Sequence, residues 1–205
     1  SLLKKFKDIK IEALSDNFLP YRKKFKDGKS FSDYSEMLKK IKTDIVFICL
    51  PNKFAIKATY LALKNGSHVF CEKPPARNFG EMKKFKKNLL KFKNQILMYG
   101  FNHRYHDSIL ETKKIIDSKK LGKVINLRGV YGKSYLTPKI NGSNKKKRHF
   151  SWRERKNDAG GGILLDQGIH MVDMINFFSG NFFKAKYFTS NNYWKKKVED
   201  NVYTI

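Results

Sequence analysis

Apolar positions along this chain switch between two spacings, one that suits strands and one that suits helices. "IKIEAL" (9–14) reads as a strand, and a lysine-rich helix is expected at roughly 19–26. "SDYSEMLKKI" (32–41) opens with a capping-type Ser and a Glu at the offset that favours a helix start. "DIVFICL" (44–50) is a continuous, β-branched apolar run, the signature of a strand buried on both faces. "KFAIKATYLALKNG" (53–66) has helical spacing and a glycine stop. "HVFC" (68–71), a helix at about 78–93 and "QILMYGF" (95–101) continue the alternation. Strands alternating with helices at this spacing predict βαβ units and a parallel sheet.

After about residue 120 the pattern changes. "KVINLRGVYGKSY" (123–135) reads as a longer strand of mixed polarity, and 136–158 as a loop. A helix is expected over 160–180 after a glycine cluster, and "FKAKYFTSNNYW" and "DNVYTI" read as antiparallel strands. The expected architecture is therefore an α/β domain over 1–120 and a smaller α+β domain over 121–205. A dinucleotide-binding sheet needs a first strand and a Gly-rich turn, and neither is in the sequence. Residues 1–8 read as the last turns of the helix that would follow that turn, and Ile205 ends inside an expected strand. The expectation is a fragment cut at both ends.

Composition changes this picture little. The chain has 205 residues, 40% hydrophobic and 14% aromatic, which is globular rather than disordered. No apolar run approaches the ~20 residues that span a bilayer, so no membrane partner is expected. Cys49 and Cys71 both end apolar runs and are expected as buried thiols in a reducing, cytoplasmic setting. Lys plus Arg is 44 against 18 acids, a formal +26. That balance would suit nucleic acid or an anionic surface. Only seven of the 44 are Arg, however, and the lysines are spread over helix faces and loops. A solvated lysine coat is expected, with no specific nucleic-acid partner.

The candidate chemistry gathers at one place. Ligands of open parallel sheets bind at the carboxyl ends of the strands, and polar residues recur there: Asp16, Pro51-Asn52, Glu72-Lys73 and Asn102-His103-Arg104. Asp16 could accept hydrogen bonds from a ribose diol, which favours NAD over a 2′-phosphate, or could cap a helix. Pro51-Asn52 could line a nucleotide pocket or simply turn the chain. Lys73 precedes two prolines that bias the backbone and admit a cis bond. A lysine fixed there could handle protons; the alternative is one more surface lysine. In "GGGILLDQGIHMVDM", Asp166, His170 and Asp173 fall at i, i+4 and i+7 on an otherwise apolar helix. Buried polar groups there must be paired or functional. Proton transfer is favoured over a metal, since no third ligand is evident, and a structural histidine is the remaining reading.

"EKP", "GFNHRY" and "GGGILLDQGIH", in this order, resemble the Gfo/Idh/MocA family of NAD(P)-dependent sugar and polyol dehydrogenases. The resemblance runs over nearly the whole chain. It implies an N-terminal Rossmann domain and a C-terminal domain on an open, mainly antiparallel sheet, and a homo-oligomer when full length. It also implies roles. Lys73, Asp166 and His170 would be catalytic: His170 the base for the hydroxyl proton, Lys73 a hydrogen-bond donor to the same oxygen, Asp166 an orienting group for sugar or imidazole. Asp16, Pro51, Asn52, Glu72 and Lys73 would line the NAD or NADP site. Arg104 and Tyr131 would reach substrate along with Asp166 and His170. "GVYGKS" and "SWRE" are similar to members acting on nucleotide-linked or amino sugars, which would turn Trp152, Arg153 and the basic loop 145–148 toward an anionic substrate. The sequence departs from the family in lacking the Gly-rich loop and in carrying Ala55 where a histidine is often found.

Three functions follow: a sugar or nucleotide-sugar dehydrogenase, a family member that binds ligand without redox chemistry, and a basic nucleic-acid-binding protein. Retention of Lys73, Asp166 and His170 favours the first. The lysines are not clustered on one face, which disfavours the third.

Overall fold

The computed structural model describes residues 2–132, 152–180, 184–193 and 195–205. The chain divides into two compact units: residues 1–50, 54–72 and 80–99 in the first, and 51–53, 73–79 and 100–205 in the second. The first unit ends at Tyr99.

The first unit is built from parallel strands, as the alternating pattern predicts. β1 (Ala13–Ser15) pairs with β2 (Lys29–Phe31), Ala13 opposite Lys29 and Ser15 opposite Phe31. Between them runs α1 (Leu19–Lys24). β3 (Ile45–Ile48), β4 (His68–Cys71) and β5 (Leu97–Tyr99) form a second parallel sheet in the order β3-β4-β5. The helical crossovers are α3 (Asn52–Lys64) and α4 (Phe79–Leu89). The strand expected at 9–14 is shorter and later. β2, three residues with no alternation to read, escaped the pattern. α2 (Tyr34–Lys40) is capped by Asp33, whose side chain accepts the Glu36 N–H at 2.9 Å; the cap is Asp, not the expected Ser.

The core of this unit joins α3 to the sheet. Ala55, Ala58, Ala62 and Leu63, at helical spacing, are at most 2% exposed and cluster with Val46, Ile48, Val69 and Cys71. Phe85 of α4 is the largest side chain in this cluster, and its burial contributes about 2–3 kcal/mol. Lys83, Lys84, Lys86 and Lys87 of the same helix are exposed, as a solvated lysine face requires.

One expectation is corrected here. β3 is buried on one face only: Val46 and Ile48 are inside, while Ile45 and Phe47 are 50% and 43% exposed. A continuous apolar run reports that a strand can tolerate two covering layers, not that both layers are present. Cys49 is exposed for the same reason, against the expected buried thiol, whereas Cys71 is buried and its thiol is pushed up to about 11 by that burial.

The second unit carries a helical turn at Asn102–Tyr105, α5 (Asp107–Asp117), a turn at Trp152–Glu154 and α6 (Lys156–Ala159). A π-helical turn, Leu164–Gly168, leads into α7 (Ile169–Ser179). β6 (Tyr187–Ser190) and β7 (Asn201–Thr204) pair antiparallel, Tyr187 opposite Thr204, as expected. Residues 123–132 of the expected long strand pair with no strand among the described residues, and Ile125 is 98% exposed. Alternation describes faces; a strand also needs a partner. Residues 152–154 and 156–158 of the expected loop are instead helical. Residues 133–135, the rest of that loop and the basic run 145–148 lie outside the described residues.

Candidate functional site

Lys73 is fixed by the chain on both sides of it. The Glu72 N–H donates to the Ile48 carbonyl at 2.9 Å, extending the β3–β4 ladder by one residue. The Lys73–Pro74 bond is cis. The Lys73 ammonium donates to the Asp166 carbonyl oxygen at 2.5 Å and lies 3.7 Å from the Asp166 carboxylate, with its side chain 13% exposed. Lys73 is thus no ordinary surface lysine: its charge is paired with the π-helical turn of its own unit.

That turn depends on two close glycine approaches. Gly160 has φ +90°, and a Cβ there would stand 2.1 Å from the Arg77 carbonyl oxygen. A Cβ on Gly162 would stand 2.0 Å from the Glu199 carbonyl oxygen. Glu199 caps the turn: its carboxylate accepts the N–H groups of Gly162 at 2.8 Å and Leu164 at 3.2 Å. Nothing in the sequence ties Glu199 to a segment so far upstream. The Asn52 amide donates to the Ala159 carbonyl at 2.7 Å. Asp158 beside it pairs with Lys53 and with Arg155, and these cations hold its carboxyl below the usual range.

Asp166 is surrounded by donors. Besides Lys73, its Oδ1 lies 3.4 Å from the Arg153 Nε and its Oδ2 accepts the Gln167 amide at 2.9 Å. The Arg153 guanidinium lies over the Trp152 ring at 4.4 Å. Asp166 lies in the π turn and His170 in the α7 that follows it, and no hydrogen bond joins them among the described residues. Gln167 is buried beside Asp166, and a polar residue in so apolar a helix is a signal readable in the sequence.

His170 is 4% exposed, and its Nδ1 is buried without a hydrogen-bond partner among the described residues. Its ring stacks on His103 at 3.9 Å between centroids and 9° between planes. Phe101 meets it edge-on at 6.3 Å, and Tyr131 lies 5.7 Å from His103 on a similar plane. Burial lowers the His170 pKa most, the Lys73 and His103 charges add to this, and Asp173 and Asp166 oppose it; the result is about 4. At neutral pH His170 is an unprotonated base.

Arg104 is held by α7. Its guanidinium donates to both carboxylate oxygens of Asp173, at 2.8 and 2.5 Å, and stacks over Phe177. The structure therefore brings Lys73, Asp166, His170, Tyr131, Trp152 and Arg153 into one unit, with Arg104 bound to α7 beside them. Asn52 and Pro51 belong to the same unit, but the Asn52 side chain is committed to Ala159. In the first unit, Asp16 follows β1, and its Oδ1 accepts the Phe18 N–H at 2.7 Å, which closes a turn ahead of α1; the N-cap position itself is Phe18, with no side-chain cap, so Asp16 is not the helix cap. Glu72 follows β4 and is exposed. Among the described residues, no three His, Cys, Asp or Glu converge to hold a metal ion.

Comparison with known proteins carries the same assignment. Residues 1–101 match the oxidoreductase family model described as an NAD-binding Rossmann fold, and residues 109–205 match the GFO/IDH/MocA C-terminal domain. Levoglucosan dehydrogenase of Pseudarthrobacter phenanthrenivorans is 31% identical over 78% of this chain and 39% of its own. D-glucoside 3-dehydrogenase of Escherichia coli is 29% identical over 84% of this chain and 47% of its own. Among solved structures, levoglucosan dehydrogenase in complex with NADH and levoglucosan superposes with TM-score 0.81 at 26% identity, covering 94% of this chain and 53% of that one. Myo-inositol 2-dehydrogenase from Lactobacillus plantarum superposes with TM-score 0.73 at 28% identity, covering 93% and 55%. The chain spans about half the length of the curated relatives it matches. With both family domains matched in order, and the EKP lysine gathered with the Asp–His pair, the chain belongs to the Gfo/Idh/MocA oxidoreductase family.

Proposed function

We propose that this chain provides the catalytic groups of an NAD-dependent dehydrogenase acting on a sugar or polyol hydroxyl. The observation that carries the proposal is the convergence of Lys73, Asp166 and a buried, unprotonated His170 in one unit. Such an oxidation removes a hydride from carbon and a proton from oxygen. His170 takes the hydroxyl proton; the Lys73 ammonium donates a hydrogen bond to the same oxygen and steadies the charge that develops there. Asp166 holds Lys73 and Arg153 in place. Bound NAD supplies the nicotinamide ring that accepts the hydride. Tyr131, Trp152 and Arg153 are the substrate contacts in this reading, and Arg153 also suits a sugar bearing an anionic group.

The first unit fits the cofactor at one point. Asp16 stands at the carboxyl end of β1, and its Oδ2 accepts nothing from the described residues, so it can receive a ribose diol, which supports NAD over NADP. Glu72 stands at the corresponding end of β4. Residues for the pyrophosphate are not in this sequence, which lacks a Gly-rich turn.

The test is NADH titration, followed by nicotinamide fluorescence, into this chain and into one extended to the length of its relatives, followed by a sugar screen on the extended chain. Lys73→Met and His170→Ala are expected to lower turnover by roughly 10²–10⁴ while sparing NADH binding. Near-normal turnover in both variants refutes the mechanism; tight NADH binding with no turnover on any sugar favours a ligand-binding role.

A further inference from the structure

A histidine that works as a base is ordinarily oriented by a hydrogen bond to its second ring nitrogen, which fixes both tautomer and ring plane. His170 has no such bond among the described residues. Asp166 gives its carboxylate to Gln167 and Arg153, and Asp173 gives both oxygens to Arg104. The ring is held instead by a stack. His103 lies flat on it, 3.9 Å between centroids, and Phe101 meets it edge-on. His103 comes from the turn Asn102–Tyr105, and the next residue of that turn, Arg104, is clamped to α7 through Asp173. The clamp and the stack join the same two elements, one residue apart.

We propose that His103 is a positioning residue for His170: its ring, pressed against α7 by the adjoining Arg104–Asp173 pair, sets the plane of the base where a carboxylate hydrogen bond would otherwise do so. This role rests on His170 being the base of the proposed dehydrogenase. The electrostatics agree. His103 is itself shifted down, by burial first and then by His106 and Lys73, with Asp173 opposing. Both rings are therefore neutral near pH 7 and stack without charge repulsion, whereas a cationic His103 would hinder protonation of His170.

Two substitutions separate orientation from simple packing. His103→Phe keeps a flat ring and removes the titrating nitrogens; His103→Ala removes the ring. The first measurement needs no activity: NMR titration of the histidine ring signals in this chain. The His170 ring protons should lie upfield in the wild type and in His103→Phe, and move toward free-imidazole positions in His103→Ala. The His170 pKa should rise in His103→Phe, because a neighbouring positive charge is lost. In the extended chain, His103→Ala should lower kcat roughly 10- to 100-fold with a much smaller change in KM, as a misplaced base does. His103→Phe should restore most of that loss and move the acid limb of kcat/KM to higher pH. Unchanged His170 signals in His103→Ala overturn the stack, whatever the enzyme does. Full activity in His103→Ala overturns the orienting role. Normal turnover in His170→Ala overturns the role together with the proposed function.

Discussion

Gly160→Ala should destabilise the second unit more than any ordinary glycine replacement, and the reason is geometric. Gly160 has φ +90°, and its Cβ would meet the Arg77 backbone: 2.1 Å from the carbonyl oxygen, 2.5 Å from Cα and 2.6 Å from the carbonyl carbon. Ordinary Cβ contacts begin near 3.4 Å, so backbone on one side must move by about 1 Å. Neither side is loose. The Arg77 guanidinium donates to the Asn157 carbonyl at 2.8 Å, and the Gly160 N–H donates to the Lys156 carbonyl at 2.7 Å. Conformational strain at positive φ costs about 1–3 kcal/mol, and the overlap about 1–3 kcal/mol more. At about 2–4 °C per kcal/mol for a chain of this size, the melting temperature should fall by about 5–20 °C. Gly180→Ala is the control: φ is +85°, but nothing among the described residues lies within 4 Å of the added methyl, so only the conformational part remains. Differential scanning calorimetry on the three proteins reads both. A Gly160→Ala melt within about 2 °C of the wild type, or a fall no larger than that of Gly180→Ala, would refute the close-approach argument.

Two further outcomes can be measured on the same protein. Asp173→Ala leaves the Arg104 guanidinium without its bidentate partner next to a buried site; a loss of about 1–3 kcal/mol is expected from urea unfolding, below the cost of breaking a fully buried pair because Arg104 is 38% exposed. Stability should also fall between pH 6.5 and about 4: the His170 pKa in the fold, about 4, lies below its ordinary value, so the unfolded chain takes up the proton first as pH falls. This contribution is complete above pH 6.5 and amounts to roughly 1–3 kcal/mol; His170→Leu should flatten the urea midpoint over that window. The Asp158 carboxyl, shifted down by Lys53 and Arg155, acts in a separate window below its ordinary value of 3.8.

The sequence by itself determined the parallel βαβ order, the antiparallel pair at the end, and the residues worth watching. These are matters of local spacing: period-two and period-3.6 patterns, a glycine stop, a lysine ahead of two prolines, and an Asp and His four apart on an apolar helix. It could not determine what depends on partners distant along the chain. Whether β3 has one covered face or two depends on which layers are present, so Phe47 and Cys49 lie outside a core their own run would have admitted. Residues 123–132 carry strand composition but find no paired neighbour among the described residues. Asp166 and His170 read as neighbours four apart on one helix face; only the structure shows Asp166 beside Lys73 and Arg153 and the imidazole stacked on His103. Arg104 reads as a substrate group, and only the structure shows that two of its N–H groups go to Asp173 on another element. Spacing can put a charged or aromatic side chain on a face. Which group neutralises or stacks on it is decided by close packing between elements far apart in sequence, where a shift of about 1 Å changes the partner.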